Sequence, residues 1–471
     1  MRQPLLFVML LVTAPMACGP GGTARGGSGG VPAPPMTETC AVRLPPRSAS
    51  DAGEAGAPQP VAASAFSVTR STLVVNLEVP LAGVRQALDA KVPRRVAEER
   101  DHDLGVAGRL EYTVDRGPFA LRVEGEVLVV ESVLQGRAQA CAKGRCYAGC
   151  APEARATARV PLRVGADYKL RTSEVRIDIT RGCNVRALGG LVTVDVTPIL
   201  RGALDAQSRN VRASIDRELP DLRPEAARLW DELGTPKALP LGACVMLGPE
   251  EITQGPASGT PELLRMRFGL LARPEVRPGC GADPRGATPS RPLPPLREDR
   301  ALPVLGDVHL AIVLAPDAPA RAIEGGDAID LGRGRARVRK ATGDASSGLL
   351  LDLSGEACGE VGMSIGGVAW SEPQSLRLTG TAPLAGDAAR LSAAGLEAAR
   401  LAKGIEHAPL PLPIAVSALG TLLPELARGI SDERVTITAS IETAQPENAG
   451  ARGANVVVVA LLRGAVTVRA K

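Results

Sequence analysis

Apolar residues recur at every second position through much of this chain, the spacing that turns one face of a strand to a core and the other to water. Leu73, Val75, Leu77 and Val79 alternate in this way. Pro80, with no N–H to give to a ladder, ends the run. The next segment predicts a short helix with Leu81, Val84 and Leu88 on one face. Far downstream Val308, Leu310, Ile312 and Leu314 alternate, Pro316 ends that strand, and a shorter helical turn carries Ile323. The same opening at the head of each half predicts an internal duplication.

After the first opening the pattern predicts strands over 110–115, 119–130, 156–164, 174–180 and 191–197. Pro198 then starts a helix on which Ile199, Leu200, Leu204, Val211, Ile215 and Leu219 fall near helical spacing. Pro224 starts another, through Leu233, and strands at 243–247 and 263–272 close the half. The second half predicts strands at 336–340, 348–353, 361–370 and 375–381, helices at 387–403 and 414–428, and final strands at 434–443 and 455–468. Many antiparallel strands with a few clustered helices give an α+β fold class.

Composition divides the chain. Residues 19–64 are mostly Gly, Pro, Ala and Ser, too poor in large apolar groups to offset the entropy of ordering. The expected organisation is a signal peptide over 1–17, a disordered tether over 18–64 and a first module over 65–276. A Pro/Gly-rich linker or crossover at 277–303 leads to a second module over 304–471.

The N-terminus adds a compartment. Arg2 precedes an unbroken apolar run from Leu5 to Val12, far short of the roughly 20 residues that span a bilayer. Pro15-Met16-Ala17-Cys18-Gly19 resembles a bacterial lipobox, with Pro15 where most carry Leu. That resemblance implies lipidation of Cys18 and a membrane partner. The expected location is the cell envelope, on the outer membrane facing the periplasm or the cell surface; the alternative is a secreted protein in which Cys18 is incidental. Nine cysteines less Cys18 leave an even eight, as suits an oxidising compartment. Cys141, Cys146 and Cys150 crowd a Gly-rich hairpin, CAKGRCYAGC, whose spacings are not those of a zinc site. At least one disulfide is expected among Cys141, Cys146, Cys150 and Cys183, and no metal.

Candidate chemistry is sparse. The chain has neither GxSxG nor HExxH. His102 falls in an EERDHD run that reads as a solvated loop, His309 alternates with the apolar residues of its strand and so faces water, and His407 precedes a Pro-rich turn. The expectation is no enzyme and no cofactor. A formal charge of +4 gives no basis for a nucleic-acid partner. Arg333, Arg335, Arg337 and Arg339 would share one face of an extended strand. Two readings stay open: a ridge that contacts anionic headgroups, or charge that keeps an exposed strand soluble.

Three passages carry a family resemblance: STLVVNLEVPLAGVRQALDAKVP, ALPLGACVMLGPEEI with ELLRMRFGLLARPEV after it, and LTGTAPLAGDAARL. From about Phe66 to the C-terminus the chain resembles the bacterial lipoprotein family of domain of unknown function 4403. That organisation is similar to the tubular lipid-binding superfamily of the bactericidal permeability-increasing proteins. The resemblance implies two duplicated modules, each a curved antiparallel sheet wrapped around helices, with an apolar cavity for a lipid or acyl chain. The alternative is a non-enzymatic envelope scaffold whose cores are filled.

Overall fold

Alternation becomes sheet at most of the expected places, but the sheets are assembled from distant parts of the chain. The computed structural model describes residues 40–47, 68–280 and 292–471, apart from 104–108, 143–144, 147–148, 171–173, 188–191, 219–220, 239–242, 373–374, 413–415, 417, 422–423 and 425–434. The signal segment, Cys18 and most of the helix expected at 414–428 therefore lie outside the described residues.

The C-terminal strand Asn455–Ala470 organises a central sheet of eleven strands. One edge pairs along its whole length with Val435–Arg452. The opposite edge carries both opening strands in succession. Gly306–Val313 runs antiparallel to its first part, Val457 to Gly464. Ser71–Pro80 runs parallel to its last part, Val466 to Arg469. At the join a Cβ on Gly306 would overlap the Thr72 carbonyl, so only glycine permits this approach. The His309 N–H donates to the fully buried Ser71 hydroxyl at 2.9 Å. Beyond Ser71–Pro80 the sheet continues with Leu263–Ala272, paired from Ser71↔Ala272 to Pro80↔Leu263.

This topology does not confirm the duplicated-module expectation. The strand–helix openings recur, as Ser71–Pro80 with helix Leu81–Lys91 and as Gly306–Val313 with helix Ala318–Ile323. Both complete the same sheet. Gly306–Val313 is not half-exposed: Leu310 and Ile312 enter one core while Ala311 and Val313 enter another on the opposite face.

Each half adds its own sheet. In the first, Arg95–Asp103, Arg109–Glu124, Val127–Ala142, Glu153–Pro161 and Glu174–Arg181 form an antiparallel sheet in that order. The single strand expected over 119–130 is in fact the two arms of a hairpin, with Glu124 opposite Val127. Apolar alternation continues across the turn, so period alone does not reveal it. The EERDHD run, expected as a loop, is the edge strand, with an irregularity between Glu99 and His102.

In the second half Arg335–Asp344, Gly348–Gly355 and Ala357–Ser364 form the sheet body, and helices Ala385–Ala393 and Ala398–His407 pack into its core through Leu391, Leu401 and Ile405. One helix was expected over 387–403. Gly395, at φ 74°, instead closes the first: its N–H reaches the Ser392 carbonyl and the Leu396 N–H reaches Leu391. Leu391 and Leu396 are both buried, so the cap also places two core residues.

Two segments expected to be loose are partly built in. Within the tether, Val42–Arg43 pairs in parallel with Ala357–Ser364, and Leu44 is buried. Within the 277–303 linker, Leu296 and Leu302 are buried, Arg297–Glu298 pairs with Thr253–Gln254, and the Tyr168 hydroxyl donates to the Pro294 carbonyl at 2.8 Å. A few large apolar side chains in otherwise small-residue sequence suffice to anchor both.

Candidate functional site: an apolar recess beneath a helix

The inward face of the first-half sheet is set by strict alternation. Leu110, Tyr112, Val114 and Arg116 point inward from one strand; Ser132, Leu134, Gly136, Ala138 and Ala140 do so from its neighbour. Register places Val114 beside Gly136, and Leu134 beside Ala154, which faces Ile179. Gly136, Ala138, Ala140 and Ala154 are too small to fill this surface alone. The amphipathic helix Thr197–Glu218 covers it through Leu200 and Leu204.

The cover is incomplete. Val114, Leu134, Gly136, Pro152, Ala154, Ile179, Leu200 and Leu204 line a recess of about 260 Å³ counted to its open mouth, wide enough for little more than water. Its charged lining residue, Glu153, is ion-paired with Arg181 at 2.7 Å. Apart from Glu153 the lining is apolar.

The helix is fixed at its start. The Asp195 carboxylate accepts the Thr197 N–H at 2.9 Å, and the Thr197 side chain and backbone hold that carboxyl below its ordinary range. The Thr197 hydroxyl accepts the Cys183 N–H at 3.0 Å, and Cys183 is bridged to Cys150. A second bridge, Cys141–Cys146, closes the neighbouring hairpin. All four cysteines singled out in the sequence are thus paired, and a third bridge joins Cys244 to Cys280. Glu111 lies within 4.8 Å of the Cys141 and Cys146 sulfurs, but joined as a disulfide they offer no thiolate to a metal. Replacing Cys183 with Ser should lower stability by about 2–5 kcal/mol in urea titration, because it frees the buried root of the helix.

Tyr112 and Arg116 bring polar groups to this face. The Tyr112 hydroxyl donates to Glu99 at 2.8 Å, and burial, then that carboxylate, pushes its pKa up to about 12. The ring nitrogen Nδ1 of His102 is 3.3 Å from the same carboxyl group. Arg116 is buried and binds the C-terminal end of helix Leu81–Lys91, a role absent from the sequence reading. Its signal was visible: a charged residue in phase with Leu110, Tyr112 and Val114.

The arginine ridge lies elsewhere, on the second-half sheet. Arg335 and Arg337 share the face opposite Ala336 and Val338, but Arg333 precedes the strand in a bend. Arg339 falls at a register shift and pairs with Asp352 at 2.6 Å. The four do not form one uniform row. His309, expected to face water, is mostly covered, and its Nδ1 lies 2.6 Å from the Glu447 carboxylate. His407 turns Nδ1 to the Lys403 carbonyl of its own helix.

No curated protein matches the chain. A solved structure, the crystal structure of a lipopolysaccharide binding protein, aligns over 86% of this chain and 99% of its own, at 12% identity and a TM-score of 0.28, a likeness that carries no argument. The profile described as Domain of unknown function (DUF4403) matches residues 69–315, which include the recess, the helix above it and both opening strands. With just over half its length matched, the chain belongs to the DUF4403 family.

Proposed function

We infer that this is a lipid-anchored protein of the cell envelope that binds a hydrophobic ligand, an acyl chain of a lipid, between helix Thr197–Glu218 and the first-half sheet. The supporting observation is the recess: an aliphatic surface floored by small residues and incompletely covered by one helix. An acyl chain would widen it by displacing the helix outward from its disulfide-rooted start. Each buried CH₂ contributes about 0.8 kcal/mol, so a few methylenes offset a modest opening cost. In this reading the protein holds or ferries its ligand and catalyses nothing.

A fluorescent fatty acid titrated into the chain from Gly19, which lacks Cys18 but keeps the paired segment 40–47, should bind saturably. Ala154→Phe, which fills the floor, should weaken binding at least tenfold while the fold, followed by circular dichroism, is retained. Equal binding by both proteins would remove the recess from the account. The second reading, a scaffold with filled cores, draws on the second half, where Leu351, Met363, Leu376, Leu391, Leu401 and Ile405 are packed to near-zero exposure.

The anchor rests on the Ala17-Cys18 junction. Cys18→Ser should move the protein from the membrane pellet to the soluble fraction. A variant that pellets as firmly as the parent would show that Cys18 is not the anchor.

A further inference from the structure

The segment 40–47 is bound to the second-half sheet more specifically than a passing tether. The Val42 N–H donates to the Glu356 carbonyl at 2.8 Å and the Leu44 N–H to the Cys358 carbonyl at 2.9 Å. Leu44 fills the space over Gly359, where a side chain would collide with it. Farther on, Arg390 donates through Nε to the Pro45 carbonyl at 2.9 Å. Arg47 reaches the buried Asp387 at 3.1 Å, and Asp387 also accepts the Gly362 N–H. Backbone pairing, an apolar plug and an ionic clasp thus act within eight residues.

At the head of this strap, Cys40 and Cys358 are the cysteines left after the three bridges among the described residues. Both are partly buried; the Cys358 Sγ donates to the Gly355 carbonyl at 3.1 Å and the Cys40 Sγ to the Val42 carbonyl at 3.7 Å. The register brings them together: Val42 lies opposite Ala357 in parallel, so Cys40, two residues earlier, comes level with Gly355, whose carbonyl accepts the Cys358 thiol. Burial, with Cys40 adding to it, pushes the Cys358 thiol up to about 11, so it is held as the protonated thiol.

We propose that Cys40 and Cys358 form a fourth disulfide, which covalently roots the N-terminal strap on the strand Ala357–Ser364. The oxidant is an external disulfide, that of a thiol oxidoreductase. One cysteine thiolate attacks it to form a mixed disulfide and releases one oxidant sulfur as a thiol. The other cysteine then displaces the second oxidant sulfur, so two protons and two electrons leave this pair and the oxidant ends as a dithiol. Rooting at Cys40 roughly halves the free length between Cys18 and the folded body. If Cys18 carries lipid, the edge of the second-half sheet, rather than the opening strand of the first, becomes the end held toward the membrane.

The test uses the full chain, isolated from its own compartment with thiols blocked at lysis, carrying a specific protease site inserted after Ala57. After cleavage, a denaturing gel without reductant should keep the N-terminal fragment on the body, and reductant should release it. Peptide mapping should find Cys40 linked to Cys358. Cys358→Ser should free the fragment on cleavage even without reductant. Release from the parent while the other three bridges stay intact would overturn the proposal, as would Cys40 linked to any other cysteine. Finding all eight cysteines blocked as thiols would overturn it together with the oxidising-compartment reading.

Discussion

Arg116→Ala is expected to cost about 3–5 kcal/mol of stability, among the largest losses available to a single side chain in this fold. The guanidinium is held 4.4 Å over the Phe119 ring. It donates to the Asp89 carboxylate at 2.9 Å, to the carbonyls of Asp89 and Gly117 at 3.1 Å and of Pro93 at 3.2 Å, and to the Val92 carbonyl. Helix Leu81–Lys91 ends without a left-handed cap, so this arginine satisfies carbonyls that the helix cannot. Alanine would leave them unpaired inside the protein. Lysine should recover little, because a single ammonium cannot reproduce the planar fork. Urea midpoints of the two variants check this; a loss under about 1 kcal/mol for alanine would mean that the contacts are a solvated ion pair.

Gly306→Val should be at least as damaging, above about 4 kcal/mol or preventing folding altogether. The added Cβ would meet the carbonyl of Thr72 and the backbone nitrogen of Val74, and backbone on both sides cannot move without parting the two opening strands. Gly83→Ala is the matching control. Gly83 lies on the exposed face of helix Leu81–Lys91 with nothing within 4 Å of its new methyl group. It should stabilise by about 0.5–1 kcal/mol through helix propensity. Chemical denaturation of both separates loss of the join from a general intolerance of glycine replacement. A well-folded Gly306→Val protein would contradict the end-to-end arrangement on Asn455–Ala470.

The two cases also mark what the sequence could yield. Local period located the strands well: the run read as 263–272 is the strand Leu263–Ala272, and Pro80 and Pro316 both separate a strand from a helix. Period says nothing about partners. Ser71–Pro80 finds Leu263–Ala272 on one side and the C-terminal strand on the other, pairings across most of the chain that no window can register. For that reason two openings of similar pattern suggested two modules, whereas the structure joins them in one sheet. The recess was legible in part. Leu200 and Leu204 were assigned to one helix face, and the four cysteines near its start were grouped. The small-residue floor was not seen, because Gly136 and Ala154 become neighbours of Val114, Leu134 and Ile179 only through register. The strap at 40–47 escaped because one leucine among prolines and arginines gives no periodic signal, and its affinity comes from backbone edges and from Asp387.

The central claim is that the aliphatic surface beneath helix Thr197–Glu218 is a ligand site rather than an imperfection of packing. Its most direct test is mass spectrometry of an organic extract from the chain beginning at Gly19, which lacks the anchor but keeps the strap at 40–47, purified without detergent, with the Ala154→Phe protein prepared in parallel. The account predicts lipid or fatty acid carried through purification by the parent, at a level approaching one per protein, and a marked loss in the filled variant. Lipid-free extracts from both, together with no uptake of added fatty acid or phospholipid by the parent, would contradict it and leave the filled-core scaffold as the reading of this fold.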